Sequence, residues 1–315
     1  MQPAYSVIFF TSASGMGYGL LILLGVLAPA EMIPTDRAFG LVSLGIALGA
    51  VTFGLVSSMW HLGHPERVLL AYTQWRSSWL SREGALATMT YVPAALFAIG
   101  WVGFGEVARF WGFGGLMAAV LAGCTVYATG MIYASLRPIA AWCNRWVVPV
   151  YLSLALFTGA LWLNAIRLLF GHPAADASLV VVVTLLLSVY LKWAYWRFLD
   201  AARADSTPET ATGLGSIGKV RLLDPPRTQT TYVTREMGYR VARRHAAKLR
   251  RYASVLLFAL PFVLTLATVA TNSWIASGAA VAAALSGSVG VVVERWLFFA
   301  EAKHVVTLYH GAEAA

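Results

Sequence analysis

Eight apolar stretches, each long enough to cross a bilayer, dominate this chain of 315 residues. They run over about 5–29, 38–60, 84–105, 111–135, 147–169, 178–199, 252–272 and 276–300. A spanning helix needs about 20 mostly apolar residues to cross the hydrocarbon layer. Backbone groups find no water there, so only helices and closed barrels can span it. The apolar runs are continuous rather than alternating, which excludes a barrel. The expected fold is all-α: a polytopic membrane protein, a bundle of eight transmembrane helices making one membrane domain over 1–315. Composition matters at one point. Only 12% of residues are charged and 59% are hydrophobic, against about 25% charged in a soluble domain. The first run has no basic flank and outlasts the ~7–15 apolar residues of a signal peptide. It reads as the first span.

Orientation follows from Lys and Arg. If the spans alternate, both termini and links 2–3, 4–5 and 6–7 share one side. Twenty of the 23 basic residues lie on that side, and only Arg37, Arg109 and Arg167 on the other. Basic loops stay inside, so the crowded side is expected to be cytoplasmic. The net charge of +9 is then a topology signal, and with no nucleic-acid-binding fold in view no nucleic-acid partner is expected. Most of the excess lies in 200–251, read as a cytoplasmic basic arm and juxtamembrane helix. "ADSTPETATGLGSIGKVRLLDPPRTQTTYV" reads as irregular, and "TREMGYRVARRHAAKLRRYA" as a basic helix with Thr234 as N-cap. That helix suits either anionic lipid or a soluble partner. "GLGSIGK" (213–219) matches GxGxxG by letter, but no strand precedes it, so a nucleotide site is not expected.

Other features read as structure. Gly45 and Gly49, and Ala279, Ala283 and Gly287, have the spacing that lets helices approach closely. Pro93 and Pro261 fall inside spans and are expected to kink them. The two cysteines, Cys124 and Cys143, form no CxxC motif. Iron–sulfur ligation, a Cys-rich zinc site and a disulfide framework are therefore excluded, and no metal site is expected.

Chemistry concentrates in "HLGHPERVLLAYTQWRSSWLSREG", residues 61–84. His61 follows the second apolar run and Glu83 stands where the third begins, both at the cytoplasmic interface. Trp75 and Trp79 offer apolar walls, and Ser81 and Arg82 flank the carboxylate. Trp and Arg commonly anchor helix ends, and an acid at a helix N-terminus can simply complement the dipole. Glu83, however, heads a long apolar span, where a partly buried carboxyl can exchange protons. "VVVERWLFFAEAKHVVTLYHG" (291–311) brings Glu294, Arg295, Glu301, His304 and His310 to the same layer. Glu294 and Arg295 lie deep enough to need partners inside the bundle. A proton pump or ion channel would show charges at intermediate depths too, and this chain has almost none. A one-sided site suits a reaction on a lipid-soluble molecule. Quinone fits: reducing it takes two electrons and two protons, an imidazole can bind a carbonyl oxygen, and a carboxyl can hand over protons. Without a redox motif of its own, the chain needs electrons from a partner.

"SSMWHLGHPERVLLAYTQWRSSWLSREGALA" and "ERWLFFAEAKHVVTLYHG" resemble the membrane anchor subunits of dimethyl-sulfoxide-reductase-type molybdoenzyme complexes. The resemblance implies an assembly of three subunits: a molybdopterin catalytic subunit, a ferredoxin-like iron–sulfur subunit seated on the anchor, and an anchor that binds quinone (ubiquinone or menaquinone) without haem. It implies that His61 and Glu83 are the catalytic pair of the quinone site. By position, Trp79, Ser81, Arg82 and His304 join them as quinone-binding residues. The dimethyl sulfoxide reductase anchor faces the periplasm, whereas the charge count turns this chain the other way. That orientation and the long basic arm are similar to anchors of cytoplasm-facing sulfite dehydrogenases, in a bacterial inner membrane with both termini cytoplasmic. The expected function is to pass electrons from sulfite oxidation to quinone, in a protein that carries no redox cofactor itself. The alternatives are a quinol-oxidising anchor of a sulfoxide or polysulfide reductase, a membrane transporter, and a b-type cytochrome anchor using His61 and His304.

Overall fold

Each of the eight apolar runs folds as one long helix. The structure, a computed structural model, describes residues 4–59, 64–173, 175–201, 206–224, 246–271, 274–310 and 312. The helices are α1 (Tyr5–Leu27), α2 (Arg37–Met59), α3 (Trp79–Phe104), α4 (Arg109–Ala134), α5 (Val147–Leu169), α6 (Ala175–Ala201), the short α7 (Pro208–Thr212), α8 (Ala246–Ala270) and α9 (Trp274–Ala300). All except α7 are long and apolar enough to cross a membrane. Among the described residues there is no strand, so the chain is an all-α polytopic membrane protein.

Two helices start several residues before their apolar runs. α3 begins at Trp79, five residues before its apolar run, because Ser78 caps it: the Ser81 amide donates to Ser78 Oγ at 3.4 Å. The described part of α8 begins at Ala246, inside the basic stretch. Capping extends α3 beyond what a bilayer would require, and α8 continues the basic helix read from the sequence. Thr234, the expected N-cap of the basic helix, lies outside the described residues. Residues 206–224 are mainly irregular, as expected, apart from α7. There Thr207 forms a capping box with Thr210, and Gly213 ends the helix at φ 71°.

α1 and α5 form the centre. α1 packs on α2, α4 and α5, and α5 also packs on α4, α6 and α9. α3 is peripheral and held mainly by α4, as α8 is by α9. Glycines set the closest approach. A Cβ at Gly19 would overlap the Ala155 backbone, and one at Gly159 would overlap the backbone of Gly19. Without those side chains α1 and α5 meet main chain to main chain. Gly287 likewise faces Leu161 of α5. Gly45 and Gly49 do not behave as their spacing suggests: a Cβ on either meets nothing within 4 Å. The α2 surface around Gly45 instead borders an apolar groove shared with Ile99 and Val102 of α3. Pro261 follows a π turn at Val255–Ala259. The proline cannot donate to the carbonyl four residues back, and wider turns absorb such a break.

Contacts among helix ends and links fit the alternation. On the basic side, Ser57 Oγ donates to Ser6 O at 3.0 Å, the Val305 amide to Pro138 O at 3.1 Å, and Tyr309 OH to Ala211 O at 3.1 Å. On the opposite side Trp101 Nε1 donates to Thr35 O at 3.0 Å and Arg37 to Phe104 O at 3.0 Å.

Candidate functional site

Glu83 lies in the second turn of α3, just inside the basic face of the bundle. It is 3% exposed, because its side chain turns toward α4 and away from lipid. Thr129 of α4 donates its hydroxyl to Glu83 Oε1. The same hydroxyl lies 3.0 Å from Thr125 O. One proton cannot serve both acceptors. With Glu83 ionised, Thr129 donates to the carboxylate. With Glu83 protonated, the acid donates to Thr129, which then donates to Thr125 O. The pair therefore accommodates both charge states without moving a helix. Among the described residues no ion pair involves Glu83. Tyr18 of α1, Tyr133 of α4 and Tyr151 of α5 lie within its electrostatic reach.

The neighbours named from the sequence divide into groups. Ser81 is buried beside Glu83 on α3. Trp79 sets its edge against Tyr127 of α4, with ring centroids 5.9 Å apart. Arg82 points the other way. Its Nε donates to Trp75 O at 2.9 Å and its Nη2 to Arg76 O at 2.6 Å, with the guanidinium 4.2 Å from the Trp79 ring centroid. It ties the connection before α3 to the helix and stays away from the Glu83 carboxylate. His61 lies outside the described residues. His304 lies past the end of α9, beside the α4–α5 link. Its Nδ1 accepts from the Val306 amide at 3.0 Å, and partial burial pushes its imidazole below the usual histidine range. α3 and α9 do not pack on each other, since α4 and α5 stand between them. The structure thus groups Trp79 and Ser81 with Glu83 and leaves His304 in another sector of the same face.

A second buried polar cluster occupies that other sector. Lys192 of α6, 1% exposed, bonds Glu294 of α9. Arg295 Nε lies 3.2 Å from Glu294 Oε2, and its guanidinium stacks 3.6 Å from the Tyr151 ring centroid. The sequence requires partners for Glu294 and Arg295 but does not supply Lys192, which the charge count assigns to the basic 6–7 link. In the fold it is a buried counter-ion rather than a topology signal. The available clue is its setting, "LKWAYW", inside an apolar run: a cation that deep needs an anion. Thr129, Tyr18, Tyr133 and Tyr151 carry no such clue, because hydroxyl residues are common in spanning helices. Farther toward the surface, Arg250 of α8 bridges Glu301 at 2.7 Å and Asp200 at 2.8 Å.

Residues 1–300 match the family described as DMSO reductase anchor subunit (DmsC). The chain is also 30% identical to a protein of Allochromatium vinosum named as part of its sulfite dehydrogenase, in an alignment covering all of both chains. No solved structure matches. Eight spanning helices, a family match over nearly the whole chain and a full-length relative lead to one conclusion: this protein belongs to the DMSO reductase anchor subunit family.

Proposed function

We propose that this chain is the membrane anchor of a molybdoenzyme assembly of three subunits and passes electrons from an iron–sulfur partner to quinone at the face that carries Glu83. The observation that carries the reading is the Glu83–Thr129 pair: a carboxyl buried at one membrane face, held by a hydroxyl that tolerates both of its protonation states. Each quinone reduced takes up two electrons from the partner's clusters and two protons. Glu83 hands over both protons in turn and is reprotonated from the basic side after each. His61 hydrogen-bonds the second ring oxygen, and Trp79 and Ser81 border the ring. Arg82 shapes the entrance by fixing the 75–76 backbone, while His304 belongs to the docking face for the partner. The basic links and the arm over 200–251 face the cytoplasm of a bacterial inner membrane and receive the iron–sulfur subunit, with the molybdopterin subunit beyond it. The relative named for sulfite dehydrogenase supports sulfite as the electron source.

The test uses the purified complex. Glu83→Gln and His61→Ala should assemble normally and reduce a soluble dye at the normal rate, yet lose quinone reduction. Unchanged quinone turnover in both variants would remove these residues from the site.

A further inference from the structure

Between α1, α4, α5 and α9 lies a small polar cavity, about 10 Å³ in volume. A cavity of that size takes a single water molecule. Ser12 Oγ borders it without a hydrogen-bond partner among the described residues, and three more buried groups there have neighbours too long or too poorly aligned for a full hydrogen bond: Tyr18 OH beside Thr125, and Tyr151 OH and Arg295 Nη1 beside each other, with Tyr133 next to Tyr151. None of Ser12, Tyr18, Tyr151 and Arg295 is more than 7% exposed. Left dry, these groups forfeit the hydrogen bonds they would make to water. A water molecule makes two to four hydrogen bonds: Arg295 and Thr129 take two of them, and the hydroxyls of Ser12, Tyr18 and Tyr151 compete for the rest. Arg295 can only donate to it, and the three hydroxyls can accept from it or donate to it. Thr129, which holds Glu83, lines the same cavity.

We propose that this cavity binds one water molecule, which joins Arg295 to Thr129 and makes Arg295 a remote counter-charge for the Glu83 carboxylate. With Glu83 ionised, the donors run in one direction. Arg295 donates to the water, the water to Thr129, and Thr129 to Glu83. The positive end of this chain is Arg295, and its aligned dipoles favour the anion. With Glu83 protonated, Thr129 turns to Thr125 O and the chain loses its direction. The water thereby couples two buried clusters that share no ion pair among the described residues. Among the described residues, the titratable groups facing Glu83 are Tyr18, Tyr133 and Tyr151. Tyr18 and Tyr151 are among the hydroxyls that border the water. Arg295 is a positioning residue here, and Glu294 and Lys192 fix its place.

The proposal rests on Glu83 changing protonation, the premise of the quinone-site reading, but its test needs no quinone. Infrared difference spectra of the purified protein in lipid nanodiscs, taken between acid and alkaline pH, should show a carboxyl band that disappears in Glu83→Gln. They should also show a water O–H band that moves in H2-18O. Tyr151→Phe keeps the ring under Arg295 and removes the hydroxyl. It should weaken the water band and shift the Glu83 equilibrium about fivefold toward the protonated acid, the worth of one net hydrogen bond. Ser12→Ala should act in the same direction and serves if Tyr151→Phe does not fold. The proposal fails if no band responds to the oxygen isotope, or if the Glu83 equilibrium is the same in wild type and variants. It also fails if Glu83 shows no carboxyl band. Loss of quinone turnover in Glu83→Gln alongside an unmoved equilibrium would sink the water and leave the quinone site standing.

Discussion

Two glutamates are buried at the same face of this bundle and are held in opposite ways. Glu294 is clamped between two cations, Lys192 and Arg295. Glu83 is held by the hydroxyl of Thr129. A buried anion between two cations is fixed in its charge, because protonating it would strand two like charges out of water. A carboxyl against a hydroxyl can take either form. Burial alone therefore does not mark a chemical site; the partner decides. On this comparison the α6–α9 cluster is a structural clamp, and the α3–α4 pair is the one free to change its protonation state.

The comparison breaks most visibly at the clamp. Glu294→Gln should cost about 3–5 kcal/mol, the loss expected on breaking a buried ion pair, read as a lower thermal midpoint of the purified protein. Glu83→Gln keeps a hydrogen bond to Thr129 and should change stability by less than about 1 kcal/mol. In the complex it should still lower quinone turnover about a hundredfold. Equal stability losses in the two variants would erase the distinction. Thr129→Val sharpens it. Removing the hydroxyl from a buried carboxylate should cost about 1–3 kcal/mol, and Thr129→Ser should restore most of the loss in the same unfolding assay.

The smallest effect is expected at His304, which belongs to neither cluster. Burial favours its neutral form, and Nδ1 is occupied as an acceptor. Its folded-state affinity for protons is lower than in the unfolded chain, so its contribution to stability is complete above the ordinary histidine range, near pH 6.5. It is lost as pH falls through that range and below. The protection factor of the Val306 amide, which normalises for the intrinsic pH dependence of exchange, should fall over this window, while protection of the amides around Glu294 stays constant.

Glu83, Trp79 and Ser81 are legible as a group because one continuous segment carries them, and a capped helix start holds them together. Arg82 is not, because adjacency in a helix separates side chains by about 100°, which sends the guanidinium toward Trp75 while Glu83 turns inward. His304 is legible at the correct membrane face but not in its sector of that face. Hydropathy reports depth along the membrane normal and carries no information about position around the bundle axis.

The sequence by itself determined eight spans, their alternation, the crowding of charge on one face and the need of Glu294 and Arg295 for buried partners. All of these follow from the cost of placing polar groups in hydrocarbon, which each segment meets independently. Only the tertiary structure decided that Lys192 is the partner and that Thr129 receives Glu83. It also decided that Gly19 and Gly159, rather than Gly45 and Gly49, bring helices into contact. Which helix faces which depends on side-chain packing between segments distant in sequence, and that packing exists only once the bundle has assembled.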